Sequence, residues 1–361
     1  MKVLLVSTSL KPEYGGPARS VSGLAEHLSL LGNSVVLTAR DGSATTTPFL
    51  PSDSQVVRHA GSVDDAFRQY GKIDVVHDNG IWLSHNHRVA RLACQFAVPR
   101  IVSTRGMLER WAVNHKWLKK RVAWHIYQRR DLRLANWLHA TSESERETIE
   151  SLNLQVQVSV IPNGVDLPTT GSDVDSKSLG QGLRTAIFVG RIHPVKGLRM
   201  LVDAWAQVRP KGWRLQLIGP DEAGHQAEIE QTVRQCGLEH EILFAGPMEG
   251  HDKEAAFRNA ELLVLPSYTE NFGLVVGEAL SYSVPAIATK GTPWSSLSAQ
   301  RCGWWVDTNT QAIAQALAEA TNLSPLALHE MGARGSAFVK DSFGWKKVAS
   351  EFVELYKAAL H

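Results

Sequence analysis

Short, nearly unbroken apolar runs alternate along the chain with longer stretches in which apolar residues recur every three or four positions. In the first half the runs are KVLLVST, SVVLTA, IDVVHD, RIVSTRG and VSVIPNG; in the second they are TAIFVGR, RLQLIG, EILFAG, LLVLPS and VPAIAT. A strand with one wet face alternates apolar and polar residues. These runs do not alternate, so the pattern predicts strands covered on both faces by helices, the signature of parallel sheet. One helix is predicted over PARSVSGLAEHLSLLG, with Pro17 in its first turn and Gly32 at its C-terminal end. Two such series in tandem predict two α/β domains with doubly wound parallel sheets. Ligands of open sheets sit beyond the carboxyl ends of the strands, and with two domains the expected site is the cleft they face.

The join is expected in IPNGVDLPTTGSDVDSKSLGQG, Ile161 to Gly182, which is rich in Pro, Gly, Ser and Asp and lacks apolar periodicity. The predicted division is residues 1–165 for the first domain and 166–344 for the second. The closing stretch, FGWKKVASEFVELYKAAL, is amphipathic and follows a complete second series.

Composition narrows the class. With 361 residues, 43% apolar and 20% charged, the chain reads as a soluble two-domain protein. Cys94, Cys236 and Cys302 are scattered and odd in number, which argues against a disulfide framework or structural zinc and fits a reducing cytoplasm. The opening apolar run is too short for a leader, and no window suits a spanning helix. The net charge of +2 is uneven: Met1 to Asp166 carries 20 Lys+Arg against 15 Asp+Glu, and the remainder 18 against 21. The first half is therefore the better match for an anionic partner.

Three loops carry candidate chemistry. In LLVLPSYTENFGLVVGEAL, Glu270 lies at the lip of a strand and Glu278 within the helix that follows. First-turn amides beginning near Gly273 have no intrahelical partner and make an anion or hydroxyl site, and Glu278 can accept two hydrogen bonds from a vicinal diol. The alternative is a helix-start charge and a solvated helix position. In FVGRIHPVKGL, Arg191 and Lys196 flank a turn at a strand end, where an arginine fork and a lysine point charge can neutralise a diphosphate. Surface cations on a loop are the plainer reading, and no Walker A pattern follows. In LKPEYGGPARS, Gly15 and Gly16 present bare backbone amides at a helix start, suited to receive a leaving diphosphate together with Arg191 and Lys196, although an ordinary turn also fits.

Together, Glu270 and Glu278, Gly190-Arg191 with Lys196-Gly197, IPNGVD from Ile161 to Asp166, and the early Gly-Gly loop resemble family 4 of the retaining glycosyltransferases, polysaccharide-biosynthesis type. The resemblance implies the GT-B fold, in which two Rossmann-like domains face across a cleft and the terminal helix, 345–361, returns to the first. It implies transfer of a sugar from a nucleotide-sugar to a hydroxyl acceptor, saccharide or lipid-linked, with no metal and no cofactor. The residue matching Glu278 is then the ribose ligand, and Glu270 meets hydroxyls of the transferred sugar. The segment Asn271, Phe272, Gly273 and Leu274 lies beside that sugar; Arg191 and Lys196 hold the diphosphate; Gly246, Pro247 and Met248 flank the base. The family commonly has histidine-glycine where this chain has Arg105-Gly106. Arginine exchanges no proton at neutral pH, so Arg105 stands with Arg191, Lys196 and Glu270 among the candidate catalytic residues as a fixed cation for phosphate, either the donor's leaving group or an anionic acceptor. Other nucleotide-sugar enzymes, such as an epimerase or hydrolase, and a non-catalytic nucleotide-sugar-binding protein are the alternatives.

Two further features bear on the acceptor. His77 and Asn79 end the strand IDVVHD, and Trp82 follows as a possible sugar-stacking surface, which makes these three the acceptor-side candidates. Residues 110–137 interleave Trp111, Trp117, Trp124 and Tyr127 with Lys116, Lys119, Lys120, Arg121, Arg129, Arg130 and Arg133. On a helix Lys116, Lys119, Lys120 and Arg130 fall within an arc of roughly 100°. The segment reads as a solvated face with tryptophans turned inward, or as a peripheral contact with the inner face of a membrane. Nucleic acid is disfavoured by the near-zero net charge. The Asp173 DVD pair in the join and His85 with His87 make poor metal sites.

Overall fold

The computed structural model describes residues 1–109, 112, 117–168 and 182–360. The chain forms two compact units, Met1–Gly164 with Trp345–His361, and Val165–Gly344. Asp173 and most of the expected join lie outside the described residues, as do Trp111 and Lys116.

The first unit holds seven parallel strands: β1 (Lys2–Ser7), β2 (Ser34–Ala39), β3 (Val57–His59), β4 (Val75–Asn79), β5 (Arg100–Ser103), β6 (Trp137–Ala140) and β7 (Gln157–Val160). Their order is β3-β2-β1-β4-β5-β6-β7. The unbroken apolar character of β1 has a direct cause, because both of its faces are buried. Val3 and Leu5 enter a core with Leu24, Leu28, Phe352 and Tyr356, while Leu4 and Val6 enter another with Phe67, Val76 and Val89.

The helix Gly16–Leu30 begins with Pro17 in its first turn and buries Ala18, Val21, Leu24, Ala25 and Leu28 at three- and four-residue spacing. Gly32, just past its end, takes φ +82°, a conformation that glycine adopts without steric cost. The terminal helix Trp345–Ala359 packs on it, burying Trp345, Val348, Ala349, Phe352, Leu355 and Tyr356. Each of the larger of these contributes about 1.5–3 kcal/mol by burial, so the last helix is integral to the first unit. Trp345 lies where a Cβ on Gly23 or on Gly164 would come within 2.2 Å of its ring; both glycines make room for the indole.

The second unit holds β8 (Arg184–Val189), β9 (Trp213–Ile218), β10 (Ile242–Gly246), β11 (Leu262–Leu265), β12 (Ala286–Thr289) and β13 (Gly303–Val306), all parallel, in the order β10-β9-β8-β11-β12-β13. Its first and last residues are paired: Val165 donates to the Phe343 carbonyl at 2.9 Å and bridges Gly344.

Three strands escaped the pattern. β3 has only three residues, two of them Arg58 and His59; β6 is WLHA, interrupted by His139; and β13 is GWWV, which opens on glycine and is half-buried throughout. In each sheet the strand order reverses once, between β1 and β4 and between β8 and β11. Such a reversal, at the carboxyl ends of the strands, is where open parallel sheets place their ligands. Among the described residues no helix is long and apolar enough to cross a membrane.

Candidate active site

In the second unit the loops after β8 and β11 meet at the reversal. The β8 loop runs through Arg191, a short 3-10 turn at Pro194–Lys196 and Gly197. The His193 ring accepts from the Val195 amide at 3.1 Å and shapes that turn. Tyr268, after β11, donates its amide to the Val195 carbonyl at 2.8 Å. Gly197 has φ +66°, and a Cβ there would stand 2.2 Å from the Pro266 carbonyl oxygen. Only glycine permits both the conformation and the approach, so the two loops lock together.

That contact places Lys196 Nζ 2.5 Å from Glu270 Oε1, and the same oxygen accepts from the Ser267 hydroxyl at 2.7 Å. The Glu270 amide donates to the Gly291 carbonyl, after β12, at 2.7 Å. Gly273, at φ +75°, is the N-cap of the helix Leu274–Ser281. The Phe272 side chain points into the core against Trp294 and Phe343, and its carbonyl accepts the Trp294 indole N–H at 2.6 Å. Whatever Phe272 offers a ligand therefore comes from its backbone. Leu274 is half-buried against the same core.

The remaining second-unit candidates arrive with partners of their own. Glu278 takes both Lys253 hydrogen bonds, at 2.8 and 2.9 Å. Arg191, half-exposed, donates to Glu222 at 2.6 Å. Gly246 ends β10 at φ +71° and accepts from the Gly219 amide at 2.8 Å, with Pro247 exposed and Met248 half-buried beside it. Of the four charged candidates, only Lys196 and Glu270 touch each other. Lys253 and Glu222 carried no sequence signal, because each reads as an ordinary charge on a polar stretch.

In the first unit, Gly15 takes φ +73° and Gly16 opens the helix Gly16–Leu30 after β1. Arg105, after β5, has φ +53°, and Trp82, after β4, has φ +78°. Such backbone is costly for non-glycine residues and concentrates where function requires it. The Arg105 guanidinium is clasped by three neutral groups: Ser20 Oγ at 3.0 Å, Asn163 Oδ1 at 2.7 Å and Asn79 Oδ1 at 2.6 Å. Its turn is pinned by the buried Glu145, which accepts from Thr104 Oγ1 and the Gly106 amide, both at 2.6 Å. Burial pushes Arg105 down to about 10, so it remains a cation at neutral pH.

Two acceptor-side expectations change. His77 faces no ligand: it is fully buried, with Nδ1 2.7 Å from the Tyr356 hydroxyl and Nε2 2.6 Å from Ser103 Oγ. Ser103 Oγ lies 2.6 Å from His139 Nδ1, and His139 Nε2 lies 2.8 Å from the Ile161 carbonyl. A carbonyl only accepts, so His139 donates from Nε2, Ser103 donates to His139, His77 donates to Ser103 and Tyr356 donates to His77. Both imidazoles are neutral in this chain of bonds. Trp82 is half-buried; its indole N–H donates to the Met107 carbonyl at 3.0 Å and its ring meets Trp124 and the Lys120 ammonium. Lys120 thus turns inward, away from the basic stripe expected on this helix. Asn79 is buried and engaged with Arg105, and His87 pairs with Asp131 at 2.8 Å. Among the described residues no group of three or more His, Cys, Asp or Glu could hold a metal.

Comparison with known proteins gives this geometry its setting. Residues 14–168 match the model of glycosyltransferase family 4, and residues 184–322 match that of glycosyl transferases group 1. The chain belongs to these glycosyltransferases. Within the family, D-inositol 3-phosphate glycosyltransferase of Arthrobacter sp. strain FB24 is 29% identical over 213 residues, 56% of this chain and 50% of that protein. The protein of the same name from Segniliparus rotundus is 31% identical over 215 residues, 56% of this chain and 47% of its own length. The chain spans about half the length of the curated relatives it matches. Among solved structures, sucrose-phosphate synthase of Thermosynechococcus elongatus superposes with a TM-score of 0.82 at 21% identity, covering 99% of both chains. HepE of Anabaena, solved with UDP and glucose, gives 0.76 at 20% identity over 99% of this chain and 100% of its own. These likenesses show the GT-B fold.

Proposed function

We propose that this protein transfers a sugar from a nucleoside diphosphate sugar to a hydroxyl acceptor, with retention at the anomeric carbon and without a metal. The observation that carries the reading is the Lys196–Glu270 contact at the strand reversal of the second unit, on a loop that also bears Arg191. A cation held by one carboxylate at a strand's carboxyl end is positioned for charge that grows as a diphosphate leaves. Lys196 and Arg191 take that charge. Glu270 accepts from hydroxyls of the transferred sugar, beside the backbone of Asn271 to Leu274, and Glu278 accepts from the ribose diol. Gly246, Pro247 and Met248 border the base. In this front-face substitution the C–O bond to the diphosphate breaks as the acceptor oxygen bonds the same face of the anomeric carbon. The acceptor's proton passes to the departing phosphate oxygen, so no protein nucleophile takes part.

In the first unit the Gly16 amide and the fixed cation Arg105 supply anion-binding groups, while the Gly15 amide is taken up by the Pro12 carbonyl at 2.9 Å. That set favours an acceptor carrying phosphate, either a lipid-linked sugar diphosphate of surface-polysaccharide synthesis or a phosphorylated polyol, the class named by the curated relatives. The test is incubation with UDP-, GDP-, ADP- and TDP-sugars, with and without such acceptors and with a chelator present. A glycoside of unchanged anomeric configuration, formed in chelator, supports the reading. Free or isomerised sugar without acceptor makes the protein a hydrolase or epimerase, and tight donor binding without any product makes it a binding protein.

A further inference from the structure

From Trp117 to Arg133 the chain is one continuous helical run: Trp117–Ala123, a wide π turn at Trp124–Gln128, and Arg129–Arg133. Its inner side is fully engaged. Trp124 packs on Trp82, the Tyr127 hydroxyl donates to the Trp82 carbonyl, Gln128 accepts the Trp82 amide at 2.6 Å, and Leu132 is buried. The outer side is unusual. Leu118, Val122 and Ile126, four residues apart on successive turns, are 61%, 57% and 72% exposed, and Trp117 beside them is 52% exposed.

Exposed Lys119, Arg121, Arg129, Arg130 and Arg133 surround this stripe. No Asp or Glu occurs between Glu109 and Asp131. Single exposed aliphatic residues need no explanation, but three in register within a field of one sign do. Folding does not account for them, because the opposite side of the same helix already fills the core.

We propose that this face docks on an anionic phospholipid surface. Leu118, Val122 and Ile126 enter the acyl boundary, while the five cations lay their stems along the stripe and meet lipid phosphates with their heads. A second copy of the chain is the poorer occupant, since five cations would face five. Docking requires no substrate, so its failure leaves the glycosyl-transfer reading untouched.

Flotation of the full chain with vesicles tests the proposal. Vesicles containing about 30% phosphatidylglycerol should bind at least about tenfold more tightly than pure phosphatidylcholine, and raising salt from about 0.1 to about 0.5 M should weaken that binding. Leu118→Ser/Val122→Ser/Ile126→Ser should lower partitioning by about tenfold or more with the unfolding temperature unchanged. Arg129→Glu/Arg133→Glu should lower it by about fivefold or more for each cation removed. Equal binding to neutral and anionic vesicles, or a triple variant that binds like wild type, overturns the proposal. So does a wild-type dimer, seen by light scattering without vesicle binding, that the triple variant converts to monomer; this assigns the face to a second copy.

Discussion

Replacing Lys196 by alanine separates its two partners, one visible and one inferred. The ammonium lies 2.5 Å from Glu270 Oε1, with the side chains 15% and 14% exposed. Without it, the Glu270 side chain keeps the Ser267 hydroxyl, 2.7 Å away. Exposed ion pairs contribute about 0–1 kcal/mol, and breaking a fully buried pair costs about 3–5 kcal/mol. A pair covered on most sides falls between, so Lys196→Ala should lose about 2 kcal/mol, or about 4–8 °C for a unit of this size. Turnover should fall about 10²–10³-fold, or about 3–4 kcal/mol, if the same ammonium meets the leaving diphosphate. The double variant Lys196→Ala/Glu270→Gln removes the stranded carboxylate and should regain most of the stability. Its affinity for a nucleoside diphosphate without sugar, measured by titration calorimetry, should stay as weak as that of Lys196→Ala. Recovery of that affinity in the double variant would mean that Lys196 acts only through Glu270, and turnover within about threefold of wild type in the single variant would refute the cation's role outright.

Other substitutions should divide in the same way. Arg191→Ala breaks a half-exposed pair with Glu222, so stability should move by less than about 0.5 kcal/mol while turnover drops about 10²-fold; unchanged turnover removes Arg191 from the site. Glu278→Gln should weaken nucleoside diphosphate binding by about tenfold or more with kcat nearly intact, since hydrogen bonds to a carboxylate are worth about 1.5–3 kcal/mol each. An unchanged Kd there counts against the ribose role. Burial holds His77 well below its ordinary value and His139 down to about 3. Both are neutral when folded and gain a proton on unfolding, so their contribution is complete above about pH 6.5 and declines as pH falls below it. Asp78, pushed up to about 7 by burial, works in the opposite sense, so wild type and variant are best compared. Denaturant unfolding at pH 7 and pH 5 should show His139→Gln losing about 2 kcal/mol less over that interval than wild type. Equal losses would contradict a neutral buried imidazole.

Both parallel sheets were legible because strands buried on two faces cannot hide their composition: Val3, Leu4, Leu5 and Val6 serve two cores and must all be apolar. The loop chemistry of Arg191, Lys196, Glu270 and Glu278 was legible as residue types at strand ends, where function concentrates. Their arrangement as separate ion pairs was not, since Lys253 lies 25 residues from Glu278 and Glu222 lies 31 from Arg191. His77 misled for a related reason. It does approach a strand's carboxyl end, but the group that covers it, Tyr356, comes from 279 residues further along. Likewise, the tryptophans and lysines of residues 110–137 drew the eye, whereas the outward aliphatic stripe became visible only once the inner face of the helix was known.

The chain finishes where it began, with Trp345, Phe352 and Tyr356 completing the core around β1. During synthesis, the amino-terminal domain must therefore wait with an open flank until the whole carboxyl-terminal one has been made. The later-encoded unit has every residue it requires first and can close early. A chain released after Gly344 would thus carry a finished second unit joined to an incomplete first, with the greasy seat of Trp345 beside Gly23 and Gly164 exposed to chaperones.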